Sequence, residues 1–117
     1  MIKFYRTDHK VLSEITEYED NMWVCMTKPT VDETKLIAED FEIDLADVRA
    51  ALDDEESSRV EVEDGYTLIL VDIPSIEMRN EREAYTTIPL GIILVKDILI
   101  TVCAEDTPVL DLSLIHI

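Results

Sequence analysis

Only two residues, Lys96 and Asp97, separate the apolar stretch Tyr85–Val95 from the apolar stretch Ile98–Val102. Two such runs joined by two residues predict an antiparallel β-hairpin and commit this part of the chain to a sheet. Asp64-Gly65 gives a second hairpin signal, between Arg59–Glu63 and Tyr66–Ile73. Alternation along the first of these strands puts Val60 and Val62 on one face. Pro74 is predicted to end the strand that follows, and Ser75–Glu83 reads as a charged loop. Nearer the amino end, Ile2–Arg6 and Met22–Met26 are short strand-type runs, with Trp23 a core or interface residue. The intervening Val11–Asp20 is mixed in pattern and predicts no element.

Between these strand regions lie two helix signals. Thr30-Val31-Asp32-Glu33 reads as a capping box: the threonine hydroxyl accepts from the amide three residues on, and the glutamate reaches back. The helix should run to about Asp40, with Leu36, Ile37 and Phe41 inward. Asp44 can cap a second helix carrying Leu45, Val48 and Leu52 at spacings of three and four. The predicted order is two strands, two helices, then four strands. That order defines an α/β (α+β) domain: a mixed sheet of about six strands with two short helices packed on one face. The domain spans residues 1–111. Residues 112–117 fit nothing before them and read as a non-native tail, because a helix should begin after Pro108.

Charge removes several function classes. The chain of 117 residues carries a net charge of −17, which repels phosphate backbones and anionic lipid surfaces and attracts cations. Nucleic acid is therefore not an expected partner. Glycines occur only at positions 65 and 91, so no phosphate-binding loop can form. Ser/His/Asp and Cys/His catalytic sets need a placed histidine, and only His9 and His116 exist; the chain is not expected to be an enzyme. Cys25 and Cys103 each sit in an apolar run and read as buried thiols, with no zinc-type spacing. The uncharged apolar stretch Ile88–Val95 is far shorter than the roughly 20 residues of a spanning helix.

Carboxylates are the remaining chemistry. Between Val31 and Asp64 there are 14 acidic and 3 basic residues, a local charge of −11. Hard cations such as Mg²⁺ and Ca²⁺ take oxygen ligands. Asp53-Asp54-Glu55-Glu56 is the densest group, but it lacks the alternation and glycine of an EF-hand loop. It reads as a solvated acidic face, with a weak divalent-cation surface at a subunit interface as the alternative.

Several segments in order resemble the CorA-like magnesium transporters. Trp23-Val24-Cys25-Met26, Pro29-Thr30 and a capped helix ending at Phe41-Glu42-Ile43 resemble the family's opening. Leu45–Asp53 resembles its short helix, Arg59–Tyr66 its strand and turn, Leu68–Pro74 the strand that follows, and Pro89–Thr101 its hairpin. The resemblance implies the incomplete amino-terminal cytoplasmic domain of a divalent-cation transporter, placed at the cell membrane through a carboxy-terminal part with a Gly-Met-Asn pore motif that is absent here. It implies a homopentamer, with Mg²⁺ as the transported and regulatory ion and no tightly bound cofactor. The family's sensing acid falls at Arg49 and Ala50, neither of which can ligate Mg²⁺. Nearby Asp47, Asp53 and Asp54 are the candidates to take that role. The competing reading is a self-standing acidic protein-binding module that pairs through an exposed sheet edge.

Overall fold

The computed structural model describes residues 1–53, 56–79 and 82–105. Three strands, β1 (Ile2–Asp8), β2 (Val11–Ile15) and β3 (Met22–Thr27), precede the helices. Helices α1 (Val31–Asp40) and α2 (Leu45–Val48) follow, then a 3-10 turn (Ala50–Leu52). Strands β4 (Arg59–Glu63), β5 (Tyr66–Arg79), β6 (Arg82–Val95) and β7 (Ile98–Cys103) complete a seven-stranded sheet in the order β2-β1-β3-β7-β6-β5-β4. The β3–β7 ladder is parallel and the other five are antiparallel. The helical segment carries the chain from β3 across the sheet to the far edge at β4, and the antiparallel run β4–β5–β6–β7 brings it back to pair parallel with β3.

The fold class matches the sequence expectation, with one strand more than the six anticipated. The extra strand is β2, whose pattern is mixed because it lies at a sheet edge with Val11 61 % exposed. Its turn is formed by His9 and Lys10 at φ 51° and 67°. Left-handed backbone at both turn positions suits a tight hairpin, but histidine and lysine do not announce it as Asn-Gly would.

The capping box forms as read. Thr30 N–H donates to Glu33 Oε1 at 2.8 Å, and Glu33 N–H donates to Thr30 Oγ1 at 3.1 Å. Helix α1 buries Thr34, Ile37 and Ala38. Leu36, expected inward, is 49 % exposed instead. Thr34, Ile37, Ala38 and Phe41 form a complete three-and-four stripe without it. Asp44 caps α2 by accepting from Ala46 N–H at 3.0 Å. That helix is only four residues long, and Leu52 belongs to the 3-10 turn.

Ser75–Glu83 is not the loop expected: β5 continues through Pro74 to Arg79, and β6 begins at Arg82. Proline is tolerated there because β4 ends with Arg59 opposite Leu70, leaving Pro74 paired on one side only, with Thr87. Pro89 escapes in the same way, since β7 ends with Cys103 opposite Leu90. The two sequence-derived turns are present, with Gly65 at φ 92° and Lys96 at φ 54°. Gly65 is the residue that takes such a conformation without strain. The proposed tail, 112–117, lies outside the described residues.

Helices and the 3-10 turn cover one sheet face. There Met22, Val24, Met26, Leu68, Leu70, Ile93, Val95, Ile100 and Val102 pack with Ile37, Ile43, Val48, Ala50 and Ala51. Gly91 permits this close layer: a Cβ added to it would stand 3.1 Å from Ala51 Cβ. The other face carries Ile73, Ile88, Leu90 and Cys103 as a second buried cluster. Trp23 is on that face too, 1 % exposed, 5.1 Å from the Tyr5 ring, with its indole N–H donating to Thr101 Oγ1 at 2.8 Å. No disulfide joins Cys25 and Cys103; Cys103 is buried and Cys25 partly so.

Candidate metal centre

Strand β4 presents its odd-numbered residues to the helix-bearing side of the sheet. Glu61 pairs in register with buried Leu68, and Glu63 with Tyr66. Helix α2 passes above this end of the sheet and contributes Asp47. One carboxylate oxygen each from Asp47, Glu61 and Glu63 lies within 4.8 Å of the others. Asp47 and Glu61 are half-buried and Glu63 is exposed.

Two neighbours organise the cluster. The Tyr66 hydroxyl donates to Asp47 Oδ2 at 2.5 Å and accepts from the Asp44 N–H at 3.3 Å. It thereby ties the start of α2 to the start of β5. Burial, and then the hydrogen bond to Asp47, push the Tyr66 phenol up to about 12, so the group stays a donor across the physiological range. Arg59 Nε reaches Glu61 Oε1 at 2.5 Å and a second guanidinium nitrogen reaches Glu56 Oε2 at 2.5 Å. Three carboxylate oxygens in one place form the ligand type that Mg²⁺ or Ca²⁺ uses. Because Tyr66 and Arg59 already engage Asp47 and Glu61, an incoming cation would share or displace those contacts.

Of the sequence-derived candidates, Asp47 is a member of this cluster. Asp53 sits past the 3-10 turn at its carboxy-terminal cap and is not. Asp54 lies outside the described residues. Glu61 and Glu63 escaped the sequence reading, which took dense runs of acids as its signal. The usable signal was an i, i+2 pair of acids on one side of a strand. Arg49 donates to Thr34 Oγ1 at 2.9 Å and pins α2 to α1, while Ala50 is buried against the sheet. These two positions have a structural job here.

Three clefts lie elsewhere among the described residues. One of about 400 Å³ runs between α1 and α2 over Ala38, Ile43 and Leu45. A second of about 520 Å³ continues past Leu45 to Arg49 and Leu52. A third of about 410 Å³ has Phe41, Val95 and Ile98 with Asp20, Asp40, Glu42, Asp64 and Asp97 around them.

The model of the CorA-like Mg²⁺ transporter protein family matches residues 18–114, and the chain belongs to that family. A search of curated proteins gave no match. Among solved structures, the soluble domain of CorA from Methanocaldococcus jannaschii is similar, with TM-score 0.73 and 22 % identity over 92 % of this chain and 42 % of that one. The complete CorA magnesium transporter from the same organism gives 0.69 and 18 %, over 92 % of this chain and 33 % of that one. The ZntB cytoplasmic domain from Vibrio parahaemolyticus gives 0.65 and 15 %, over 90 % and 44 %. At these identities the likeness is one of fold. The chain spans less than half the length of each of these relatives. No described helix is long and apolar enough to cross a membrane.

Proposed function

We propose that this chain is the cytoplasmic regulatory and assembly domain of a CorA-like membrane transporter for Mg²⁺ or a related divalent cation. The observation that carries this reading is the family match over residues 18–114, joined to a fold shared with CorA and ZntB domains. On this reading the full protein is a homopentamer at the cell membrane, the domain lies on the cytoplasmic side, and it has no catalytic role.

Electrostatics supply a regulatory mechanism. A domain carrying −17 repels its neighbours at close range, and a divalent cation shared between acidic faces offsets that repulsion. Cation occupancy would then favour a closed, symmetric ring, and its loss a looser one. For this role we assign Asp47 together with Glu61 and Glu63, whose carboxylate oxygens lie within 4.8 Å of one another. Asp53 and Asp54 are secondary candidates on sequence grounds.

The test is a thermal-shift titration with MgCl₂ at constant ionic strength, run on the wild type and on Asp47→Asn and Glu61→Gln. A ligand at ten times its dissociation constant adds about 1.4 kcal/mol, which raises Tm by several degrees in a domain of this size. Both variants should lose that shift. An unshifted wild type at millimolar Mg²⁺, measured on the assembled oligomer, would remove cation sensing from this domain. Transport itself is tested separately, by Mg²⁺ flux into liposomes holding the full-length protein.

A further inference from the structure

We draw no further inference here: the strongest candidate, the cleft at the Gly65 and Lys96 turn end of the sheet where Asp20, Asp40, Glu42, Asp64 and Asp97 stand around Phe41, Val95 and Ile98, is a cluster of acidic residues with no second feature among the described residues that points to a ligand in it.

Discussion

On one face of the sheet Val24, Leu68, Ile93 and Ile100 are closed off completely by α1, α2 and the 3-10 turn. On the other, the apolar residues run from buried Trp23 and Cys103 in the middle to Val60 and Val62 at the β4 edge, which stand mostly in water. Both faces carry apolar residues in rows across the strands. What differs is the neighbour: one face has a packed helical layer, while the other thins toward an edge. Apolar composition therefore marks where stability comes from only after the layers are known.

The largest expected effect separates the two faces directly. Ile37→Ala opens a hole beneath α1 and should cost about 2–5 kcal/mol, whereas Val62→Ala on the open face should change stability by less than about 0.5 kcal/mol. Urea denaturation of both variants measures the contrast, and comparable losses would mean that Val62 is covered in the folded protein.

A smaller effect probes how closely the helical layer sits. Gly91→Val puts a branched side chain where even a methyl group meets Ala51 at 3.1 Å. Overpacking of this kind should cost about 1–3 kcal/mol. Because Ala51 is in the 3-10 turn, pairing the change with Ala51→Gly should return part of the loss. Full additivity of the two changes in thermal melts would show that the turn does not rest on Gly91.

The smallest effect is a pH dependence at the acidic margin of the helix-bearing face. The Tyr66 phenol is raised in the folded chain, first by burial and then by its bond to Asp47. A raised group contributes stability that is fully present below its ordinary value near 10 and is lost as pH rises through about 12. Tyr66→Phe should flatten that alkaline decline. An unchanged alkaline limb would mean that Tyr66 does not hold α2 in place.

Local chemistry was legible in the chain. The capping box at Thr30 and Glu33, the Asp44 cap, and the turns at Gly65 and Lys96 each depend on residues within a few positions of one another. The sequence pattern supports them without reference to the rest of the molecule. Where a turn lacked marker residues, as at His9-Lys10, the strand beyond it went unseen. Pro74 misled for a related reason. A proline ends a central strand, and only the sheet order reveals that β4 has already stopped at Arg59, leaving that stretch of β5 paired on one side alone.

The site divides along the same line. Asp47 could be picked from its place in the short helix, two residues before Arg49, where the family resemblance puts the sensing acid. Glu61 and Glu63 could not be joined to it, since 14 and 16 positions separate them from Asp47 in the chain. Whether the odd or the even residues of β4 face the helices is set by the register of β4 on β5 and by which face α2 covers. A one-residue slip would reverse it, trading the glutamates for the valines. The amino-acid sequence by itself determined the caps, the hairpins and the acidity, because those follow from near neighbours and composition. Tertiary structure alone decided which carboxylates meet and which valines are left in water, because both depend on contacts between segments far apart in the chain.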